Sequence, residues 1–309
     1  MRYGQGILFV NPVSPLASLS PHSLTGPLTF PHIPYTTNMF KSALLLTLAG
    51  LSTFTDAIPL KARGGGKRGL AFPKQNNGVA GSTYTKQFSG SNQVTWMYDW
   101  EAVIDGQPID VEYVPLLHSN EQWCTQGWAA NFAAAQKQYK VSHVLSFNEP
   151  DQAGGGGTKM DVATAVAAHK QFIQPLAQQH IRIGSPAVTN AKEANKGADW
   201  LKQFIAQCTG CQIDFVVAHY YAWDNLDDFK NYLKSFHDTF NKPVWLTEFG
   251  VTQGNAEEFL KKALPWLDSQ DWIERYAYNM VAPAASGNDY LINTAGTGLS
   301  SVGNVYASA

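Results

Sequence analysis

From Arg68 onward, short apolar runs alternate with stretches whose apolar residues recur every three or four positions. The runs are RGLAFP (68–73), VTWMYDW (94–100), VEYVPLLH (111–118), HVLSFNE (143–149), RIGSPAV (182–188), IDFVVAHYY (213–221), PVWLTEFG (243–250) and RYAYNMVA (275–282). They are rich in branched and aromatic residues, which is how buried strands read. The stretches between them mostly predict helices: EQWCTQGWAANFAAAQKQYK, TKMDVATAVAAHKQFIQPLAQQH, GADWLKQFIAQC, LDDFKNYLKSFHDTF and AEEFLKKALPWLDS. In the fourth, Phe229, Leu233, Phe236 and Phe240 share one face. Its leading acidic pair, Asp227-Asp228, reads as a favourable helix N-terminus.

Strand–helix alternation predicts a parallel sheet clad in helices. Eight such units between residues 69 and 309 predict an α/β fold of the (β/α)8 TIM-barrel type, whose usual length is about 250 residues. A doubly wound open sheet is the alternative, but neither a G-x-G-x-x-G nor a phosphate-binding loop follows the first run.

Barrels do their chemistry at the C-terminal ends of the strands, so the ends of the runs carry the functional signal. The fourth run stops at Asn148-Glu149, where Pro150, lacking an N–H, ends ladder pairing. The seventh ends in Thr247-Glu248-Phe249-Gly250, the sixth in His219-Tyr220-Tyr221 with Trp223 just beyond, and the second in Asp99-Trp100-Glu101. A carboxylate at the tip of a buried strand is costly unless something uses it. Two of them on roughly opposite strands suit glycoside hydrolysis, in which one carboxyl protonates the leaving oxygen and the other attacks the anomeric carbon or activates water. Asn148 is suited to bond a sugar hydroxyl, and His219 and Tyr221 to orient the nucleophile. Trp100 and Trp223 read as either core or sugar-stacking rings. GGGG at 154–157 suggests a mobile loop over the cleft.

Composition narrows the partners. The formal net charge is −2 with only 15% charged residues and no basic stripe, so nucleic acid is not an expected partner. Nine Trp and 13 Tyr fit a large aromatic core, a sugar-stacking cleft, or both. The three cysteines are Cys124, Cys208 and Cys211. C-x-x-C spacing admits metal or redox chemistry, but no second pair completes a zinc site, so a small local disulfide with Cys124 left as a buried thiol is expected.

The N-terminus reads as targeting rather than fold. Residues 1–38 are rich in Pro, Ser and Thr without amphipathic period, and are expected to be disordered or the product of a misplaced start codon, with Met39 the true start. Residues 39–57, MFKSALLLTLAGLSTFTDA, have the charge, apolar run and small residues of a secretory signal peptide. The apolar run falls short of the ~20 residues a membrane span takes. Residues 58–68, ending in Lys67-Arg68, read as a propeptide or linker ahead of a catalytic domain at 69–309. A secreted, extracellular or cell-wall location and a monomeric state are expected.

RGLAF, SFNEPD, IDFVVAHYY and VWLTEFG, in this order, resemble glycoside hydrolase family 128, fungal cell-wall β-1,3-glucanases in the clan of retaining (β/α)8 glycosidases. The resemblance runs from about residue 68 to the end. It implies hydrolysis of β-1,3-glucan, an endo cut, retention of configuration, and no metal or cofactor. It further implies Glu149 as acid/base and Glu248 as nucleophile, with Asn148, His219 and Tyr221 supporting. The sequence departs from the family at His118, where many members carry Trp, and at Tyr278-Asn279-Met280, which lacks a sugar-stacking Trp. A glucan-binding protein with weak or no turnover, and a hydrolase of β-1,4-mannan or β-1,6-glucan, are the alternatives that the fold alone leaves open.

Overall fold

The structure, a computed structural model, describes residues 66–284 and 289–308. The expected upstream segment and signal peptide, and the linker up to residue 65, lie outside the described residues.

The eight apolar runs become eight parallel strands: β1 (Arg68–Ala71), β2 (Val94–Tyr98), β3 (Glu112–Tyr113), β4 (His143–Val144), β5 (Arg182–Val188), β6 (Phe215–Trp223), β7 (Val244–Gln253) and β8 (Ile273–Asn279). They lie in the order β3-β2-β1-β8-β7-β6-β5-β4. The ring closes between β3 and β4 through a parallel bridge, Leu116 to Leu145, in which the Leu145 N–H donates to the Pro115 carbonyl at 2.9 Å. The protein is thus a (β/α)8 TIM barrel. β3 and β4 are shorter than their apolar runs. Pro115 offers no N–H to a ladder, so beyond it the two chains touch only at isolated points.

The sequence grammar explains the main helices. They are α1 (Trp128–Gln138), α2 (Val162–Ala168), α3 (Gly197–Gln207), α4 (Leu226–Phe240), α5 (Ala256–Ser269) and α6 (Ser301–Ser308). Asp161, Asn225 and Asn255 cap α2, α4 and α5 by accepting backbone N–H bonds. The single helix expected over 121–140 is broken, because Gly127 sits at φ 89° and separates Gln122–Thr125 from α1. No helix follows β2, and only short turns of helix at Ser82–Phe88 follow β1. Among the described residues no helix is long and apolar enough to cross a membrane.

Two apolar layers result. Outside the ring, the buried faces of the helices, including Trp128, Trp200, Phe229, Leu233 and Phe236, pack on the strands. Inside it, Trp96, Tyr98, Phe215 and Trp245 fill the barrel, with Phe215 and Trp245 stacked at 4.0 Å between ring centroids. Removing one of these large rings costs about 3–5 kcal/mol by the usual cavity cost.

Charge closes the bottom. Glu112, His143, Arg182, Glu274 and Arg275 stand at the N-terminal ends of β3, β4, β5 and β8. Arg275 donates to Glu112 at 2.5 Å, and Arg182 forks onto Glu274 at 3.0 and 3.1 Å. The Arg275 guanidinium also lies 4.5 Å over the Trp245 ring, capping the aromatic fill.

Lys67 and Arg68 belong to this fold. Arg68 is fully buried, donating to Tyr276 and Asp268, and the Lys67 carbonyl accepts from the Tyr276 amide. Described structure therefore begins before the expected domain boundary at 69. Cys208 and Cys211 are disulfide-bonded at the end of α3, and Cys124 is free and half-buried beside Ser119.

Candidate active site

The barrel gathers the strand-end residues at its C-terminal mouth. Glu149 leaves β4 in the left-handed region at φ 40°, a conformation that costs energy for a side-chain-bearing residue and here aims its carboxyl inward. Its backbone is pinned on both sides. The Glu149 N–H donates to the Ala187 carbonyl at 2.9 Å, and its carbonyl accepts from Thr158 at 3.1 Å. Asp151 fixes the turn beyond by accepting from Thr189 and from the Gly197 amide at the start of α3. The Asp of the NEPD run thus ties the β4 loop to the β5 loop.

Glu248 lies within β7, and its carboxylate is held by donors from three other strands' ends. The Trp100 indole N–H donates to Oε1 at 2.7 Å, the Tyr221 hydroxyl to Oε2 at 2.6 Å, and the Asn279 amide to Oε2 at 3.1 Å. Donors aimed at a carboxylate from three sides fix its direction.

Between the two carboxyls stands His219, fully buried. Its Nδ1 is 2.9 Å from Glu149 Oε1, its Nε2 is 2.9 Å from Thr247 Oγ1, and Nε2 lies 3.5 Å from Glu248 Oε1. Burial opposes charge on the imidazole, but the Glu248 charge and the bond to Glu149 outweigh it, so its pKa is raised above 6.5. An oxygen of Glu149, a nitrogen of His219 and an oxygen of Glu248 lie within 4.8 Å of one another. The donor set does not fit a cation. Glu248 already accepts three N–H or O–H bonds, and both imidazole nitrogens are engaged.

The remaining expected residues take distinct places. Asn148 donates to the Gly156 carbonyl at 3.1 Å, while its buried Oδ1 has no partner. Tyr221, besides bonding Glu248, exchanges backbone bonds with the Asn190 side chain. Trp100 is half-buried against Tyr98, at 5.0 Å, and meets Glu248 by its edge. Trp223 is 64% exposed at the rim and touches neither carboxylate. The Gly-rich stretch, expected as a mobile loop, folds as a hairpin (Ala153–Gly154 with Gly157–Thr158) whose turn residues Gly155 and Gly156 have φ 62° and 96°.

Four contributors escaped the sequence reading: Thr247, Asn279, Gln152 and Trp123. Gln152 donates to Glu149 Oε2 at 3.3 Å, and the 66%-exposed Trp123 lies 5.9 Å from the His118 ring. Gln152, with Thr189, Asn190, Ala191, Lys192 and Glu193, also lines an open cavity of about 600 Å³. Thr247 adjoins Glu248 in sequence and could have been found from that. Asn279 could be found only once β8 closes against β7.

A barrel with two buried glutamates, one beyond β4 and one within β7, oxygen to oxygen within 4.8 Å, is the arrangement of a glycosidase. The glycosyl hydrolase catalytic core family matches residues 69–306. Among solved structures, the chain is similar to a curdlan-specific exo-β-1,3-glucanase of family 128, subgroup III, from Blastomyces gilchristii, at 35% identity and TM-score 0.66, covering 78% of this chain and 97% of the other. It is similar too to an endo-β-1,3-glucanase of subgroup IV from Lentinula edodes, at 25% identity and TM-score 0.66, covering 78% and 98%. A curated relative is the alkali-sensitive linkage protein 1 of Schizosaccharomyces pombe, 32% identical over 264 residues, 79% of this chain and 44% of the relative. The chain thus spans less than half the length of that relative. It belongs to the glycosyl hydrolase catalytic core family and, within it, to glycoside hydrolase family 128.

Proposed function

We propose that this chain is a β-1,3-glucan hydrolase acting with retention of configuration, in the secreted, extracellular or cell-wall space. The observation that carries the reading is the short span from Glu149 to Glu248, bridged by His219. Retaining enzymes hold their carboxyls about 5–5.5 Å apart, and inverting ones about 6.5–9.5 Å to admit a water. β-1,3-Glucan as substrate rests on the family-128 relatives, which are named as β-1,3-glucanases.

In this mechanism Glu149 gives its proton to the glycosidic oxygen while Glu248 attacks the anomeric carbon. The C1–O bond breaks, a glycosyl–Glu248 ester forms, and the aglycone leaves as an alcohol. Glu149, now ionised, takes a proton from water, which attacks C1 and frees Glu248. The three donors on Glu248 hold it aimed before attack. The unpartnered Oδ1 of Asn148 is available to accept from a sugar hydroxyl.

An endo cut is the expected action. Trp123, beyond β3, and Trp223, ending β6, are exposed rings three strands apart around the mouth, and support a chain passing the carboxylates on both sides. Incubation of the full chain with laminarin, following reducing ends, tests the activity, with Glu149→Gln beside it. Oligosaccharides released by the wild type and lost in the variant are expected. Glucose as the sole product would overturn the endo action, and retention of laminarin without release would make the chain a glucan-binding protein.

A further inference from the structure

Trp100, a donor to Glu248, is itself held in an unfavourable backbone conformation at φ 61°. What holds it is a buried cluster behind the site. Asp99, the preceding residue, is 1% exposed. Its Oδ1 lies 2.7 Å from the Tyr113 hydroxyl and 3.3 Å from the Glu101 amide, and its Oδ2 is buried without a partner. The same Tyr113 hydroxyl lies 2.9 Å from the Glu101 carbonyl.

The protons do not suffice if Asp99 is ionised. Three oxygens, Asp99 Oδ1, Tyr113 Oη and the Glu101 carbonyl, make two short contacts with the single tyrosine proton between them. A proton on Asp99 Oδ1 completes the chain: Asp99 donates to Tyr113, and Tyr113 donates to the Glu101 carbonyl. An ionised carboxylate would also leave a charged Oδ2 buried and unpaired, the more costly state. The groups facing Asp99 from neighbouring elements are Tyr113 of β3, Glu101 on its own turn, Lys74 beyond β1, and Tyr139 at the end of α1. Lys74 is the one cation among them. Burial pushes the Asp99 carboxyl up to about 7, with Tyr113 pulling the other way.

We propose that Asp99 is a positioning residue held as the neutral acid, and that the Asp99–Tyr113–Glu101 hydrogen-bond chain clamps the turn that sets the Trp100 indole on Glu248. Ionisation of Asp99 swings the Tyr113 proton toward the carboxylate and away from the Glu101 carbonyl, which is left with the Leu116 N–H alone, at 2.8 Å, so the turn loses one of its ties and the Trp100 bond loosens. The role of the clamp in turnover rests on Glu248 being the nucleophile. The protonation state does not.

Two readouts on the full chain keep these apart. Infrared difference spectra between about pH 5 and pH 8 should contain a protonated-carboxyl band that titrates near 7 in the wild type and is missing from Asp99→Asn. Identical spectra for the two proteins would overturn the proposal, whether or not laminarin is cleaved. For the clamp, Tyr113→Phe keeps the ring that packs the core and removes the link. It should lower kcat on laminarin about tenfold with KM within about twofold, the weight of one neutral hydrogen bond. Asp99→Asn, which still donates and cannot ionise, should keep a larger share of its rate on going from about pH 5.5 to about pH 7.5 than the wild type keeps. Equal alkaline limbs, together with an unchanged kcat in Tyr113→Phe, would leave Asp99 a neutral core acid with no hold on the nucleophile and overturn the positioning role. Should Asp99→Asn fail to fold, the infrared band of Tyr113→Phe decides the protonation: a midpoint moved from that of the wild type supports Asp99 as its source, and an unmoved one refutes it.

Discussion

Replacing Glu112 by Gln should weaken the fold and leave the site's chemistry alone. Glu112 accepts from His143, from Arg275, and from Ser142 by both backbone and side chain. Burial raises its pKa, but the His143 bond and the Arg275 charge more than reverse that and bring it from 4.5 to about 2. A fall of that size corresponds to about 3 kcal/mol of preferential stabilisation of the charged form, at about 1.4 kcal/mol per pH unit. The partners argue for the lower side of that figure. Burial dominates both Arg275 and His143, whose pKa values are lowered in spite of Glu112. About 2–3 kcal/mol is therefore the expected loss, at or below the lower end of the about 3–5 kcal/mol that breaking a fully buried pair costs. For a domain this size that is a fall of roughly 4–12 °C in Tm, at about 2–4 °C per kcal/mol. The sign with pH follows from a depressed folded pKa. The stabilisation is complete above about 4.5 and lost as pH falls through about 2, so the gap between wild type and Glu112→Gln should narrow on acidification. Thermal unfolding by circular dichroism near pH 6.5 and near pH 3 measures both quantities. A variant with the wild-type Tm at the higher pH, or a gap that widens in acid, would refute the reasoning. Because the cluster lies at the N-terminal end of the barrel, turnover per folded molecule should not change.

Three further perturbations probe the rest of the molecule. Reducing the Cys208–Cys211 bond should lower stability by about 2 kcal/mol, the loop-closure value for so short a ring; an unchanged Tm in reductant would contradict this. His219→Gln should remove a pH dependence of stability. The raised pKa of the imidazole means that its stabilisation is complete below about 6.5 and lost as pH rises through the folded value, and urea titrations from about pH 6 to about pH 8 should have a slope in the wild type that the variant lacks. Trp223→Ala should raise KM for laminarin about fivefold or more with little change in kcat, the weight of one exposed stacking ring; an unchanged KM would assign the ring no contact with glucan.

The strand rhythm was legible because each buried strand is an uninterrupted apolar run ended by a turn former, and the barrel followed from counting runs. The order of the ring, and its closure at Leu116 and Leu145, were not legible, since Pro115 breaks the ladder where the pairing had to be seen. Glu149 and Glu248 stood out because a carboxylate at the tip of a buried strand has no packing reason to be there. His219 was legible as a polar group on an apolar strand, but its bond to Glu149 depends on β6 lying two places from β4 in the ring, as well as on the φ 40° turn at Glu149. Asn279 and the indole edge of Trp100 meet Glu248 only through the ring order, and no local pattern announces such meetings. The place of Lys67-Arg68 in the barrel was illegible for the opposite reason. A dibasic pair in a Gly-rich stretch looks like a processing site, while the partners of the Arg68 side chain, Tyr276 and Asp268, lie 200 residues or more away in sequence.

The most direct test of the central claim is the anomeric form of the first sugar released from a β-1,3-linked oligosaccharide by the full chain, followed by proton NMR before mutarotation. Attack by Glu248 followed by water, with the carboxyls as close as they are here, predicts the β-anomer as the initial product. Initial release of the α-anomer would mean a single inverting displacement, and would contradict the assignment of Glu248 as nucleophile and the reading of the short Glu149–Glu248 span.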